Sequence, residues 1–511
     1  MRSLVAPQHR PIWFLWLGAA LLLAHIAYYM PYIADDAFIS LRYAQRFAEG
    51  KGLTWNDGEW VEGFSNPLWV LISSLFFRLG LDPVHGLRML GVASSLLTLS
   101  VLVYYTLAAR LPAAVLAVGM LTYAACAPVA IWAIGGLETS AVMLLFSFAT
   151  VLCFPLASLP ARGATRIIGV LLGLICWLRP EGPVYTIALL AGLLLFMPVP
   201  FGQRLRFIVL LGLIPFTFFM ALLAARYAIY GTLVANTVVA KVAFTEHRLA
   251  YGVTYLARVL LSFLPLLLYV ALNLLSKKPR PVLPDVQAFL RFVGVVTAIM
   301  CAAVVAAGGD IFAGSRALLP VLPLLIIAVM ESARAGLSLL PRRELVLLGI
   351  IFILHLIVQT LNEDNLRAKT GSGWTQTARE IGLALKARYG DEQPLIAVYA
   401  AGAVPFYSEL PSLDMYGLTD KATAEQADNK RRGQGIAGHE LLNVEYVQSQ
   451  KPDILLLDMP GIDPFCRENF VEDCQKLLKN YRRGTLLLAD NQLVNIWLLN
   501  SSTKLGGKGL H

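Results

Sequence analysis

Charged residues are scarce in this chain. Asp, Glu, Lys and Arg together make up 15% of its 511 residues, whereas an average soluble domain contains roughly 25%. Hydrophobic residues make up 57%. So little charge excludes an ordinary water-soluble fold and predicts an integral membrane protein with many spans. The formal net charge of +9 does not indicate nucleic-acid binding, because no soluble segment interleaves basic and aromatic residues.

Several catalytic and nucleotide-binding motifs are missing. The sequence has no phosphate-binding loop of the pattern G-x-x-x-x-G-K-[ST], no G-x-S-x-G and no H-E-x-x-H. The pair His439–Glu440 lacks the second histidine that the zinc motif requires. These absences argue against an ATP-driven pump and against a zinc protease.

Cysteine is also rare, with six in the chain and none in C-x-x-C spacing. Four lie in apolar runs and are expected to be inert packing residues, namely Cys126, Cys153, Cys176 and Cys301. Cys466 and Cys474 lie in a polar region. They could form a disulfide if that region lies in an oxidising compartment, and the sequence leaves both states open.

Long apolar runs fill the first 361 residues and predict about eleven spans, the first a retained anchor. The predicted spans are 11–33, 86–110, 113–134, 138–159, 165–179, 183–200, 207–229, 251–275, 288–307, 317–335 and 344–361. The run Pro67–Leu79 is too short to cross a hydrocarbon core of ~30 Å. We interpret it as an interfacial or re-entrant helix of the first outer loop.

Lysine and arginine in short loops predict the orientation, because such loops face the cytoplasm. These loops carry Arg162, Arg166, Arg204, Arg206, Lys277, Lys278, Arg280, Arg334, Arg342 and Arg343, and Arg2 and Arg10 precede the first span. The expected protein is a multi-pass protein of a bacterial inner membrane, with its N-terminus cytoplasmic and its C-terminus periplasmic. The loops then expected outside are Asp35–Gly86, Gly135–Glu138, Arg179–Gly182, Tyr230–Tyr251 and Gly308–Arg316.

The composition becomes that of a soluble domain from about Asn362. Trp374–Tyr389 predicts an amphipathic helix. Short strands are predicted at Leu395–Tyr399, Ile454–Leu457, Thr485–Leu488 and Val494–Leu499. The predicted organisation is a transmembrane domain over 1–361, with a first periplasmic loop at 34–85, followed by a periplasmic α/β domain over 362–511.

Two adjacent acids, Asp35 and Asp36, lie where the chain leaves the first span. Charge at that depth is costly and needs a reason. Aspartate is a favoured helix N-cap, and Ala37–Glu49 predicts a surface helix with Arg42 on its wet side. Capping explains one acid well and two poorly. The functional alternative is that one carboxylate accepts a proton from an attacking hydroxyl while the other orients it or binds a divalent cation.

Other polar residues of the outer loops are candidates for substrate binding. Lys241 and Arg316 are cations that run against the orientation rule and would suit a lipid-linked phosphate. Structural alternatives stay open: Glu138 could cap a helix, Arg179 could pair with Glu181, and Asp310 could pair with Arg316. The full set of candidates is Arg42, Glu62, Asn66, Glu138, Arg179, Glu181, Asn236, Lys241, Asp310 and Arg316.

An acidic pair after the first span, followed by a second outer acid at Glu138, resembles the GT-C superfamily of membrane glycosyltransferases. A narrower resemblance, to mycobacterial terminal arabinofuranosyltransferases and their Gram-negative relatives, covers most of the chain. It is carried by DDAFISLRYAQRFAEGKGLTWNDGEWVEGFSNPLW at 35–69, GLET at 136–139, RPEG at 179–182, YGTLVANTVVAK at 230–241, GGDIFAGSRALLPVLP at 308–323 and AGAVPFYSELPSLDMYGLTD at 401–420.

The resemblance implies a polytopic GT-C-like fold and an enzyme that moves a sugar, arabinofuranose by the narrower likeness, from a polyprenyl phosphate to an envelope glycan or protein. It implies Asp36 as the leading catalytic carboxylate, with Asp35 beside it. The implied partners are the lipid-linked donor, the glycan or glycoprotein acceptor and membrane lipid. No cofactor is certain, and a divalent cation would lie at the two aspartates. The alternatives are a lipid-linked sugar flippase or transporter, for which no internal repeat is visible, and a scaffold protein.

Overall fold

The structure is a computed structural model that describes residues 10–154, 156, 159–274, 284–339, 341–370, 373–426, 431–460, 465–466 and 470–505. The orientation residues Arg2, Lys277, Lys278 and Arg280 lie outside the described residues. The chain divides into two compact units. The helical unit comprises Met1–Tyr32, Leu87–Leu222 and Leu249–Lys369, and the loop unit comprises Ile33–Gly86, Leu223–Arg248 and Thr370–His511. These units are discontinuous in sequence, and the domain limits 1–361 and 362–511 remain a prediction from the sequence.

Most of the described chain is α-helical. In chain order the helices are α1 (Arg10–Tyr28), α2 (Asp36–Ala48), α3 (Pro67–Arg78), α4 (Pro83–Ala108), α5 (Ala113–Ala125), α6 (Ala127–Ile134), α7 (Thr139–Val151), α8 (Arg162–Leu178), α9 (Gly182–Phe196), α10 (Phe201–Tyr230), α11 (Asn236–Lys241), α12 (Glu246–Ser262), α13 (Leu264–Leu274), α14 (Pro284–Ala306), α15 (Leu322–Leu339), α16 (Pro341–Leu361), α17 (Glu363–Thr370), α18 (Gly373–Tyr389), α19 (Ala403–Ser408), α20 (Lys421–Gln426), α21 (Val444–Gln450) and α22 (Val471–Leu478). A 3-10 helix, Arg316–Val321, precedes α15.

Five of the described helical segments are long and apolar enough to cross a membrane, and the number rises to seven if each of two bent pairs is one span. The five are α4, α10, Val286–Ala306, Arg316–Arg334 and α16. The bent pairs are α5 with α6 (57°) and α12 with α13 (74°). The protein is therefore a multi-pass membrane protein of helical class, but the predicted count of eleven spans is not confirmed.

Short helices and helix bends separate the apolar runs from the spans. The run predicted at 138–159 contains α7, which ends at Val151 after 13 residues, well short of the ~20 residues that a span needs. Proline lies at the start of α6, where Pro128 cannot donate the backbone hydrogen bond that would continue α5. Hydropathy reports an apolar run but is insensitive to where the helix inside it bends or ends.

The loop unit contains a five-stranded sheet in the order β2-β1-β3-β5-β4. The strands are β1 (Ile396–Val398), β2 (Ser412–Asp414), β3 (Ile454–Leu456), β4 (Tyr481–Leu487) and β5 (Leu493–Leu499). The first three are parallel, and β5 runs antiparallel to both β3 and β4. The predicted C-terminal sheet is thus present. The sequence analysis missed β2, because Ser412–Asp414 contains a single apolar residue and shows no apolar run, unlike β1 and β3, which are just as short.

The first outer loop supplies two helices to the same unit. Helix α3 has only 12 residues and packs against α2, so it does not have the length of a span. Helix α2 also packs against α19, and Phe38 lies 5.6 Å from Phe406 between ring centroids. A disulfide joins Cys466 to Cys474, which answers the question that the sequence left open.

Close helix packing in the helical unit makes a testable prediction at Gly91. A Cβ at Gly91 would strike the backbone carbonyl of Ala133, whereas one at Gly349 would meet nothing within 4 Å. Small residues allow such close helix approach in membranes. We expect Gly91→Ala to lower the free energy of unfolding by about 1–3 kcal/mol.

The matched control is Gly349→Ala, where the added Cβ meets no neighbour. This substitution should change the stability only through the higher helix propensity of alanine, a gain of up to ~1 kcal/mol. Thermal unfolding of the purified protein in detergent measures both variants. Equal shifts for the two would contradict the close approach at Gly91.

Candidate functional site

Asp35 is a buried anchor within the loop unit, with 7% of its surface exposed. Its side chain makes no capping bond to α2. Instead, its two oxygens accept hydrogen bonds from the backbone N–H groups of Gly402 (2.9 Å) and Ala403 (2.8 Å). A Cβ at Gly402 would collide with this carboxylate. The contact therefore requires glycine there, and it fixes the start of α2 to the segment that begins α19.

Burial raises the pKa of Asp35 to about 7, although its two backbone donors lower the pKa and the neighbouring Asp36 raises it further. A second buried acid, Asp414, lies close enough to contribute to this shift. Burial raises the pKa of Asp414 to about 6, against the lowering effect of hydrogen bonds from the backbone N–H groups of Thr419 and Tyr416. The loop unit thus contains two acids that retain protons at higher pH than ordinary aspartates do.

Asp36 lies in a different environment, although it adjoins Asp35. It opens α2, where the helix dipole favours a negative charge. Its side chain is 27% exposed, and its Oδ2 lies 3.5 Å from Nζ of Lys241, whose side chain is 32% exposed. A contact of this length between partly exposed groups is a weak ion pair. Asp36 can therefore accept a proton, and Lys241 can bind a second anion.

His439 also lies near this pair, and the sequence analysis did not identify it as a site residue. Burial lowers the pKa of His439 below 6.5; the charge of Asp36 raises the pKa and that of Lys241 lowers it. The Nδ1 atom lies 3.3 Å from the carbonyl oxygen of Ala437, and the ring lies 5.2 Å from that of Tyr416. The preceding residue, Gly438, has no Cβ; one built there would lie 3.0 Å from Cε of Lys241, so the lysine side chain passes close to this backbone. The absence of a second histidine made His439 look unimportant in the sequence.

Lys241 is the last residue of α11, and contacts of Asn236 and Glu62 hold the backbone at the start of this helix. The Asn236 amide donates hydrogen bonds to the carbonyls of Gly417 (2.8 Å) and Leu418 (2.9 Å), and its backbone N–H donates to the carbonyl of Glu62 (3.1 Å). The Glu62 carboxylate binds Arg226 through two hydrogen bonds, one of 3.0 Å between Oε1 and Nη2. Asn236 and Glu62, both predicted substrate ligands, thus hold the backbone around Lys241.

A buried ion pair organises the loop that carries His439. Arg248 and Glu440 are 2% and 5% exposed, and their side chains meet at 2.6 Å. Glu440 also accepts hydrogen bonds from the backbone N–H groups of Gly433 (2.8 Å) and Gly435 (2.7 Å). These contacts satisfy a carboxylate that would otherwise be costly to bury.

The prediction that Arg42 lies on the solvent-exposed side of α2 is wrong. The side chain is buried and donates hydrogen bonds to the carbonyls of Trp55 (3.2 Å), Leu410 (2.9 Å) and Pro405. Its guanidinium also lies over the Trp55 ring at 4.6 Å. Enough oxygen acceptors are available to bury the cation. Asn66, another predicted substrate ligand, also makes a contact within the loop unit: its side-chain oxygen accepts a hydrogen bond from Ser40 (3.0 Å).

The helical unit contains the other five candidates, and they pair with one another. Arg179 makes two hydrogen bonds to Glu181 (3.1 and 3.2 Å) and one to Glu138 (3.4 Å). Arg316 binds Asp310 through two hydrogen bonds (2.6 and 3.1 Å). The structural salt bridges considered from the sequence are therefore present, and two guanidinium groups face three carboxylates. A phosphate here would have to displace a carboxylate that is already bound.

A divalent cation does not fit the two aspartates. Both oxygens of Asp35 already accept backbone hydrogen bonds, and Asp36 faces an ammonium group. Among the residues that the structure describes, no group of three His, Cys, Asp or Glu side chains could hold a metal ion. The geometry of the donors therefore gives no support to the cation considered from the sequence.

Comparisons with known proteins gave one family model and several similar solved structures. A family model described as a domain of unknown function (DUF8728) matches residues 364–502. A sequence comparison with curated proteins gave no match. The crystal structure of ArnT from Cupriavidus metallidurans bound to undecaprenyl phosphate is 14% identical, with a TM-score of 0.58 over 97% of this chain and 99% of that one.

Two further solved structures are similar. The apo state of the same ArnT is 12% identical with a TM-score of 0.58, again over 97% and 99% of the two chains. The arabinofuranosyltransferase AftD from mycobacteria, solved by cryo-EM, is 13% identical with a TM-score of 0.47 over 96% of this chain and 40% of that one. The GT-C fold predicted from the sequence is confirmed by the ArnT structures.

The raised pKa of Asp35 predicts a pH-dependent stability. Between pH 3.8 and about 7 the folded protein holds a proton that the unfolded chain has lost. The free energy of unfolding should therefore fall as the pH rises through this window. Asp35→Asn cannot ionise and should show a shallower fall. Denaturant unfolding at a series of pH values measures the two slopes, and identical slopes would contradict the assignment.

The pair of Arg248 and Glu440 predicts a large effect of one amide substitution. Glu440→Gln would leave a buried guanidinium without its counter-charge, so we expect a loss of about 3–5 kcal/mol in the free energy of unfolding. The control Glu445→Gln changes an exposed glutamate nearby and should stay within ~0.5 kcal/mol of the wild type. The same loss in both variants, measured by denaturant unfolding, would argue against a stabilising buried pair.

Proposed function

We propose that this protein of GT-C fold is a membrane glycosyltransferase that moves a sugar from a polyprenyl phosphate to an acceptor of the cell envelope. The observation that carries the proposal is the weak pair of Asp36 and Lys241, with Oδ2 and Nζ 3.5 Å apart. Transfer from a phosphate-linked sugar needs a proton acceptor and a cation. This pair provides both in partly exposed positions.

The proposed reaction is a single displacement at the anomeric carbon. The acceptor hydroxyl oxygen forms a bond to that carbon as the bond from the carbon to the phosphate oxygen breaks. The hydroxyl proton passes to the Asp36 carboxylate, and the bond electrons leave with the polyprenyl phosphate. Lys241 offsets the negative charge that develops on the leaving phosphate.

The resting ion pair suits this sequence of events. While Lys241 faces Asp36, it occupies the nearer oxygen of the carboxylate. A donor phosphate that attracts Lys241 would weaken that contact and leave the Asp36 carboxylate open to the hydroxyl proton of the acceptor. Donor binding would thus prepare the base. Asp35, buried and held by two backbone donors, would act as a positioning residue for the start of α2.

Two lines of reasoning support a lipid-linked donor and a periplasmic site. ArnT was solved with undecaprenyl phosphate, and we assign the same class of lipid to this protein. The disulfide of Cys466 and Cys474 favours an oxidising compartment, which agrees with the orientation that the arginine-rich loops predict. Nucleotide sugars are not available outside a bacterial inner membrane, so an enzyme facing that side needs a lipid-borne sugar.

We propose arabinofuranose as the sugar, on the motifs of the first loop and of 230–241. The acceptor would be an envelope glycan or a glycoprotein. Arg179, Glu181, Glu138, Asp310 and Arg316 stay predicted substrate ligands, although Lys241 is the better phosphate contact because its only ion pair among the described residues is weak. A flippase of lipid-linked sugars is the alternative. It would move the donor across the membrane without consuming it.

Substitution of the proposed base tests the function. Asp36→Asn keeps the size of the side chain but removes the proton acceptor. We expect transfer of the sugar from a polyprenyl-phosphate donor to fall by roughly a hundred- to ten-thousand-fold, with donor binding largely kept. Mass spectrometry of the lipid and glycan products of the purified protein measures the transfer.

The matched control is Asp57→Asn, which changes an exposed acid of the same first loop that is paired with Arg46. Its transfer rate should stay near that of the wild type. Full activity of Asp36→Asn would refute the catalytic assignment. Movement of the intact donor across proteoliposomes without product would favour the flippase.

A further inference from the structure

The last segment of the loop unit, Thr370–His511, contains the five-stranded sheet, and we call it the sheet domain. A pocket lies on one face of its hairpin, formed by β4 and β5. Its volume is about 360 Å³, within the range of roughly 300–1,000 Å³ that is usual for small-ligand sites. Arg483 and Trp497 are paired across the two strands, so their side chains lie on the same face of the hairpin. We call this cavity the Trp497 pocket.

The Trp497 pocket combines one aromatic platform with planar polar groups. Arg483 donates two hydrogen bonds, from Nε (3.1 Å) and Nη2 (2.8 Å), to the side-chain oxygen of Asn495. This pair forms a flat edge beside Trp497. Three guanidinium N–H groups and the Asn495 amide N–H groups make no side-chain bond within the described part of the chain and can donate to a ligand. Asp458 and Gln475 also line the pocket and supply acceptors. The walls thus offer donors and acceptors around an aromatic ring.

The charge of the lining indicates what kind of ligand fits. Among the residues that the structure describes, one cation, Arg483, and one anion, Asp458, line the pocket. This described lining favours neither a phosphate nor an acidic peptide. A sugar ring matches the lining better, because its C–H face can pack on an indole while its hydroxyl groups both donate and accept hydrogen bonds. The half-buried Trp497 leaves surface for such packing.

A disulfide makes one wall of the pocket. Cys474 lies on α22, and both it and Cys466 line the cavity. Helix α22 packs against β4, so the hairpin supplies the opposite wall. Because the bond ties Cys466 to α22, the width of the pocket depends on an oxidised pair.

We infer that the Trp497 pocket binds a sugar residue of the acceptor, so that the acceptor is a glycan chain. This inference rests on the proposed glycosyltransferase function. The sheet domain then contributes twice to the same reaction: its loop at 431–440 places His439 near the proposed base, and its hairpin holds the acceptor chain. Binding at the pocket would be separate from the chemistry at Asp36, and each can be removed alone.

Direct binding tests the pocket. The full-length protein in detergent, without lipid donor, is applied to an array of neutral oligosaccharides of arabinose, galactose, glucose and mannose, with polygalacturonate as an anionic comparison. We expect neutral glycans to be retained. Trp497→Ala should weaken this binding by at least about ten-fold, and Trp497→Phe should restore part of it. Reduction of the disulfide should weaken it as well.

The matched control is Leu493→Ala, which removes an exposed apolar side chain (61% exposed) from the same strand. It should leave binding unchanged, and near-UV circular dichroism and thermal unfolding verify that each variant is folded. No retention of any neutral glycan by the wild type, or equal retention by folded Trp497→Ala, would overturn the inference.

Kinetics separates this inference from the proposed function. If both hold, Trp497→Ala raises KM for the glycan acceptor while kcat and KM for the lipid donor stay unchanged. Active enzyme with an unaltered acceptor KM would refute the pocket and leave the glycosyltransferase proposal standing. Glycan binding that depends on Trp497, in a protein without transferase activity, would refute the proposed function instead.

Discussion

The candidate site depends on one contact, in which the buried carboxylate of Asp35 accepts hydrogen bonds from the backbone N–H groups of Gly402 and Ala403. The contact joins residues 367 and 368 positions apart in the chain. It holds the first turn of α2 against the segment that begins α19, and the next residue, Asp36, takes its position from that turn. An unpaired buried carboxylate would be costly, so the fold has reason to keep this contact intact.

Asp35 and Asp36 are adjacent and of the same type, but we assign them different roles because they differ in burial. Asp35 is almost fully enclosed, and both its oxygens are occupied. Asp36 is 27% exposed and has one long contact with Lys241. A group that must exchange a proton with a substrate needs access and a weak partner, whereas a group that fixes backbone needs neither. We therefore interpret the acidic pair as one positioning residue and one base.

The sheet domain contributes contacts to the candidate site. Its segments supply the backbone donors for Asp35, the carbonyls that hold Asn236, and the buried partner of Arg248. The site around Asp36 is thus assembled from the first loop, the segment around α11 and the C-terminal region. In the proposed mechanism this arrangement brings the donor phosphate and the acceptor chain to one compact unit of the protein.

The sequence alone determined the membrane class, most of the strands and the set of polar candidates, because hydropathy and turn chemistry are local properties. The motifs also pointed to the GT-C fold. Tertiary structure decided which distant partner each polar residue takes: it buried Arg42 against the carbonyls of Pro405 and Leu410, joined Asp35 to Gly402 and Ala403, and brought His439 near Asp36. It also showed bends that an apolar run conceals. Partners hundreds of residues apart leave no local pattern in a single chain, so only the folded arrangement could identify them.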